Sequence, residues 1–121
     1  MGDIVLTRVL PGGSIDTGVL SVSNRSDVKR MPAPTIEEGH NSAVLEARDA
    51  RQEGLIHRFY FRRRADGTKQ TLTAMKQFFD LHGLQAKDRI KIYLVQKEVK
   101  LFGRVTRPAL YSIDFERRLL V

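Results

Sequence analysis

Ten residues, Leu55-Ile56-His57-Arg58-Phe59-Tyr60-Phe61-Arg62-Arg63-Arg64, run to a single alanine, then to Asp66-Gly67, then to Lys69-Gln70-Thr71-Leu72. Aromatic residues in alternation suit a pleated, half-buried strand, and Asp-Gly between two such runs is a strong two-residue hairpin signal. The segment predicts a β-hairpin with a basic tip. Alternation divides its side chains: Arg62 and Arg64 share a face with Tyr60, and Arg63 joins Phe59 and Phe61 on the other. Phe59 and Phe61 are therefore expected in the core.

Further short strands surround this hairpin. Ile4-Val5-Leu6-Thr7-Arg8-Val9-Leu10 reads as a first strand stopped by Pro11-Gly12-Gly13, and Gly18-Val19-Leu20-Ser21-Val22-Ser23 as a second. Asn24 or Ser26 caps a brief helix through Met31, ended by Pro32-Ala33-Pro34. The stretch from Thr35 to Asn41 reads as loop, Ala43 to Ala47 as a weaker strand, and Arg48 to Gly54 as a solvated turn or single helical turn. Thr73 is placed to cap a helix in which Met75, Phe78, Phe79 and His82 fall at helical spacing, with Gly83 as a left-handed C-cap. Leu81 is assigned to the packing of that helix. Ile90, Ile92 and Leu94 alternate along a strand whose hairpin partner runs from Val99 to Val105 across Gln96-Lys97-Glu98. Several short strands with one or two short helices predict a mainly β (α+β) small barrel or open barrel, and not a helix bundle or parallel α/β sheet.

At 121 residues the chain has room for one compact domain. It is read as a single domain over residues 1–121, with the core at about 4–105 and 106–121 as a closing strand or tail. No apolar run approaches the roughly 20 residues of a membrane helix, and no secretory signal pattern opens the chain, so a cytoplasmic protein is expected. The lack of cysteine excludes a disulfide framework, a thiol nucleophile and a thiolate zinc site. The net charge is +7, and its distribution carries more information than its size. Residues 56–107 hold thirteen Lys and Arg against four Asp and Glu, whereas residues 31–55 hold two against five. A basic block of this kind is the electrostatic footprint of a nucleic-acid binder, with the cluster Arg62, Arg63 and Arg64 at its centre.

Catalytic patterns are weak by comparison. His40, His57 and His82 show no metal-ligand spacing and read as surface or packing histidines, so neither a metal nor a cofactor is expected. Asp88 followed by Glu98-Val99-Lys100 superficially matches the acidic pair and lysine of a magnesium-dependent nuclease, but Glu98 falls in a predicted tight turn and Asp88 reads as a brace of the turn before Ile90. No Gly-rich phosphate loop is present. Catalysis, where associated, is expected on another chain or domain. Phe59, Tyr60 and Phe61 leave open a second reading, a stacking platform in a small barrel that binds RNA or single strands.

Two passages resemble the B-three DNA-binding pseudobarrel superfamily of plant transcription factors, whose bacterial relatives include EcoRII-like and BfiI-like restriction endonuclease recognition and effector domains. The first is Leu72-Thr73-Ala74-Met75-Lys76-Gln77-Phe78 leading to Leu84-Gln85-Ala86-Lys87-Asp88 and Ile90, in which Lys87 stands where the family has glycine. The second runs from Val9-Leu10 through Gly18-Val19-Leu20-Ser21-Val22, with Ser23 in place of a frequent proline. The resemblance spans about residues 5–105. It implies an open seven-stranded pseudobarrel that clamps the major groove of double-stranded DNA with two arms, in a nucleoid-associated protein standing alone or serving a nuclease domain or subunit. Carried over by position, Ser14, Asp16 and Thr17, with Asn24 and Arg25 nearby, form one arm. Arg62, Arg63, Arg64, Lys69 and Gln70 form the other, with Arg62 and Arg64 favoured as base readers.

Overall fold

The computed structural model of the chain describes residues 3–22, 35–37, 40–63, 70–107 and 109–118. The first strand, β1 (Asp3–Val9), leads into a short helix, α1 (Gly12–Thr17), and then β2 (Leu20–Ser21). After β3 (Thr35–Glu37) come the long strands β4 (His40–Asp49) and β5 (Ile56–Arg63), followed by β6 (Gln70–Thr73) and helix α2 (Lys76–His82). The chain ends with β7 (Arg89–Gln96), the hairpin β8 (Val99–Leu101) and β9 (Arg104–Arg107), and β10 (Leu110–Glu116). The main sheet runs β1-β7-β10-β4-β5-β6-β2, a curled path of seven strands forming a half-barrel, with β3 added beside β4. The β10–β4 pair is parallel. The other pairings are antiparallel. The expected mainly β open barrel with short helices is therefore the fold observed.

Burial follows the two periodicities. His57, Phe59 and Phe61 line the inner face of β5, and Ile90 and Ile92 that of β7, with Leu94 partly buried behind them. Met75, Phe78 and Phe79 carry α2 onto this layer. Tyr111, Ile113 and Phe115 complete it from β10, which lies inside the sheet between β7 and β4. Residues 110–116 are thus an interior strand and not a tail.

Several local expectations are corrected. Pro11-Gly12-Gly13 does stop β1, but α1 follows directly, since Pro11 fixes the extended geometry suited to a helix entry. Thr35–Glu37 pairs with β4, and β4 begins at His40, so the described residues of this polar stretch are strand and not loop. Thr73 lies in β6 and caps nothing; the N-cap of α2 is Met75, without a side-chain cap bond. Gly83 does adopt the left-handed conformation at φ 60°, its N–H donating to Asp80 and Phe79 carbonyls. Leu81 is solvent-facing, 49% exposed, on the far side of the helical stripe. Residues 99–105 do not pair with β7, whose neighbours are β1 and β10. They fold back on themselves through Phe102 and Gly103, both at positive φ, as a separate two-stranded sheet. The predicted helix from Asn24 through Met31 lies outside the described residues.

The turn before β7 shows how the chain accommodates lysine where the pattern it resembles has glycine. Lys87 occupies φ 75°, a left-handed position, and its N–H bonds to the carbonyl of Leu10 at 2.8 Å. Beside it the buried Asp88 carboxylate accepts the N–H of Gln85 and that of Arg118, both at 2.8 Å. Asp88 braces this turn as expected, and it also holds the chain beyond β10. A left-handed non-glycine residue costs about 1–2 kcal/mol, partly offset by the larger entropy glycine loses on folding. Lys87→Gly is therefore expected to stabilise the protein by about 0.5–1 kcal/mol, read as a higher urea midpoint at unchanged m-value.

Burial also perturbs one phenol. Tyr111 is pushed up to about 12, chiefly because burial disfavours the phenolate, with the Glu98 carboxylate adding to the effect. A neutral phenol is favoured in the folded state, so the stability it contributes is complete below the ordinary tyrosine pKa near 10. That stability is lost as pH rises from about 10 to 12. In an ultraviolet titration of the folded protein, one phenolate step is expected near pH 12, and Tyr111→Phe is expected to remove that step.

Candidate nucleic-acid interface

The register of the central strands decides which basic residues share a surface. Arg62 stands opposite Ser42 of β4 and Thr71 of β6, and Tyr60 opposite Val44 and Thr73. Phe59 and Phe61 take the inner face, which leaves Arg58, Tyr60 and Arg62 on the outer face of β5. Arg58 is held by Glu46 across the strand pair at 3.0 Å. Arg62 is exposed and forms no ion pair among the described residues. This is the difference between a cation used within the sheet and one free to meet an external anion. Arg63 pairs with Gln70 in the ladder, the last described pair before residues 64–69. Arg64 and Lys69 lie outside the described residues, as do Asn24 and Arg25 of the other arm.

The first arm is a single helical turn and a half, not a loop. Ser14 is 7% exposed, so its side chain lies buried in this arrangement. Asp16 and Thr17 are exposed. The Thr17 hydroxyl donates to the Gly13 carbonyl at 2.8 Å and accepts from the Val19 N–H at 3.3 Å, which stiffens the turn into β2. Gly18 is required there. It sits at φ 70°, and a Cβ on it would lie 2.7 Å from the backbone nitrogen of Lys76. That close approach, with the Met75 N–H bonded to the Gly18 carbonyl at 3.0 Å, docks α1 at the start of α2.

The strand directions place these two groups at opposite ends of one short edge. Leu20 pairs with Leu72 and Ser21 with Thr71, while the Val22 N–H reaches the Gln70 carbonyl at 2.9 Å. Thus α1 sits at the Thr73 end of β6, and the Arg62, Arg63 and Gln70 cluster sits at its beginning.

Asp88 and Glu98 do not form a nuclease-like pair. They lie beyond opposite ends of β7, an eight-residue strand, with Asp88 occupied by backbone N–H groups and Glu98 3.5 Å from Lys100.

A cluster that spacing did not reveal lies on the inner side. Asp49 Oδ2 is 2.8 Å from His57 Nε2 and 2.6 Å from His82 Nε2. Burial alone would raise the Asp49 pKa, but the hydrogen bonds from His57, His82 and the Arg51 amide, with the charge of His82, hold it below the usual carboxylate value. The two histidines are 8 and 33 residues from Asp49 in the chain. The available signal was that His57 continues the inward stripe of Phe59 and Phe61, and His82 the helical stripe of Met75, Phe78 and Phe79.

The curled seven-stranded sheet with two short helices defines a B-three-like pseudobarrel. No family model and no curated protein matches the chain. Among solved structures it is similar to Arabidopsis FUS3 in a complex with DNA, with a TM-score of 0.68 at 17% identity. The match covers 94% of this chain and 97% of that one. Among the described residues, no helix is long and apolar enough to cross a membrane.

Proposed function

We propose that this chain is a non-catalytic, sequence-specific binder of double-stranded DNA that grips the major groove between α1 and the basic β5–β6 hairpin. The observation that carries the reading is the fold shared over nearly the whole length with a protein solved on DNA, joined to an exposed Arg62 in β5 that forms no ion pair among the described residues. The dimensions support it. The four residues of β6 separate the two arms by about 10 Å, three steps of 3.3 Å, comparable with the roughly 12 Å width of the major groove. Arg62 has the two-pronged donor geometry for guanine O6 and N7, Gln70 can pair an adenine edge, and Asp16 can accept from a cytosine amino group. Burial of Phe59 and Phe61 leaves Tyr60 as the one ring of that run facing outward, which weighs against a stacking platform for unpaired bases. Any nuclease served by this module resides in a separate domain or chain.

Selection of duplexes from a random library, followed by titration of the winner at several salt concentrations, tests the proposal. A preferred duplex, bound with an affinity that falls steeply as salt rises, is expected. Equal binding to unrelated duplexes, or stronger binding to unpaired oligonucleotides, overturns it. Arg62→Ala is expected to weaken binding to the selected site by about 1–3 kcal/mol and to relax the preference at one base pair. A uniform loss over all sequences, with a shallower salt slope, would make Arg62 a phosphate contact.

A further inference from the structure

The Asp49, His57 and His82 cluster joins three elements: the last residue of β4, the start of β5 and the last residue of α2. Its three donor atoms lie within 4.8 Å of one another. The carboxylate is oriented from behind, because Oδ1 accepts the N–H groups of Arg51 at 2.8 Å and Gln52 at 3.1 Å. That leaves Oδ2 facing both imidazole nitrogens. The rings are set by aromatic packing: His57 lies 5.0 Å edge-on from Phe78 and 5.9 Å stacked with Phe59, and His82 lies 4.9 Å from Phe78 and 4.8 Å from Phe115. The carboxylate is fixed through one oxygen, and its other oxygen and two imidazole nitrogens converge on one point, so three possible metal donors are already gathered there.

We propose that Asp49 Oδ2, His57 Nε2 and His82 Nε2 bind one divalent transition-metal ion, zinc foremost, with water as the fourth ligand. The donor set selects the metal. Two imidazole nitrogens and one carboxylate suit zinc or cobalt, whereas magnesium and calcium require oxygen donors. The protons balance. In the bound state each imidazole is neutral and carries its hydrogen on Nδ1, so any second proton a ring held beforehand leaves to solvent as the metal binds, and the ionised Asp49 leaves the site a net charge of +1. Donors around a tetrahedral zinc at about 2.1 Å stand about 3.4 Å apart. The two contacts at 2.6 and 2.8 Å therefore open by about 0.8 and 0.6 Å, within the reach of side-chain torsions. Nearby cations are already engaged: Arg51 pairs with Asp114 at 2.7 Å, and Arg117 bonds the carbonyls of Gly83 and His82. Bound metal would lock the end of α2 to the β4–β5 corner.

The test uses the full chain, stripped with a chelator, dialysed, and titrated with zinc and cobalt chloride in the absence of nucleic acid. Binding of one equivalent is expected, with cobalt giving the intense visible bands of a tetrahedral site and zinc raising the melting temperature. His82→Ala is expected to lower affinity at least 100-fold and abolish those bands, and His40→Ala to change neither. Because the alanine variant can lose stability for other reasons, His82→Asn, which keeps a hydrogen-bond donor beside Asp49, is measured alongside it. A folded His82→Asn protein, verified by circular dichroism, that still gives the wild-type cobalt spectrum overturns the proposal. So does a wild-type chain that binds neither ion with one-to-one stoichiometry, in which case the three residues form a hydrogen-bonded pin alone.

Discussion

Replacing Phe78 with alanine is expected to destabilise the protein by about 3–5 kcal/mol, a large share of the 5–15 kcal/mol that a small domain has in total. Phe78 is fully buried, and its ring is the hub of the core. It meets Phe59 at 6.3 Å, Phe79 at 6.2 Å and Phe115 at 6.2 Å, besides both buried histidines. Truncation removes the transfer energy of the ring, leaves a cavity walled by stiff aromatics that collapse poorly, and cancels edge-to-face contacts worth about 0.5–1.5 kcal/mol each. Leu81, three residues further along α2, supplies the control. It is 49% exposed, so Leu81→Ala is expected to change stability by no more than about 0.5 kcal/mol. Urea unfolding of both variants measures the contrast. Equal effects would mean that α2 is rotated about its axis from the orientation described.

The same pair shows what was legible from residue order and what was not. Stripes with a strict period announced themselves: Phe59 and Phe61 on a two-residue period, Phe78 and Phe79 on a helical one, and Ile90 and Ile92 in alternation are all buried. Leu81 misled because apolarity alone says nothing about angle around a helix. The Gly83 terminus was readable since glycine meets a left-handed position at no steric cost, whereas Lys87 and Phe102 adopt the same region without that signal. Strand partnership was the least accessible feature. Residues 99–105 follow β7 closely enough to suggest a hairpin with it, yet both edges of β7 are taken, by β1 from the far N-terminal end and by β10 from beyond the β8–β9 hairpin. Such long-range pairings depend on which apolar faces meet in the core, and a local pattern does not encode them.

The interface divides along the same line. Net charge and the Asp66-Gly67 sequence signal pointed to Arg62 in an exposed hairpin strand, and alternation put it on the outer face. Charge could not distinguish Arg62 from Arg58, which differ because register sets Glu46 opposite Arg58 and Ser42 opposite Arg62. Nor could it separate Ser14 from Asp16 and Thr17, because the helical turn that buries the serine begins on two glycines that resemble a loop. The histidine pair was hidden for a different reason. Its members lie on two stripes read correctly as core, and what links them is the carboxylate of Asp49, a residue assigned to a solvated turn.

Asp49→Asn, examined in chelator-treated protein, is expected to cost about 2–4 kcal/mol, far more than a surface aspartate would. The substitution preserves shape, so the packing of the two histidines against Phe78 and Phe115 is unchanged and the effect isolates the acceptor. An aspartate offers two oxygens, and both are in use: Oδ1 for the Arg51 and Gln52 N–H groups, and Oδ2 for the two imidazoles. An asparagine has only one. If that oxygen stays with the loop, the amide nitrogen faces two imidazole nitrogens, and both rings must turn to the Nδ1–H tautomer to accept its two hydrogens, which replaces hydrogen bonds to a carboxylate with weaker neutral ones. If it turns inward, the loop amides lose their acceptor beside an NH₂ group. Either choice weakens the corner between β4 and β5, where each buried donor without a partner costs about 1–3 kcal/mol. A double-mutant cycle with His82→Ala measures how much of the loss runs through the imidazole rather than the loop, and a coupling of about 0.5–3 kcal/mol is expected for groups in direct contact. Additive effects would place the whole cost in the loop and leave His82 held by its aromatic neighbours alone.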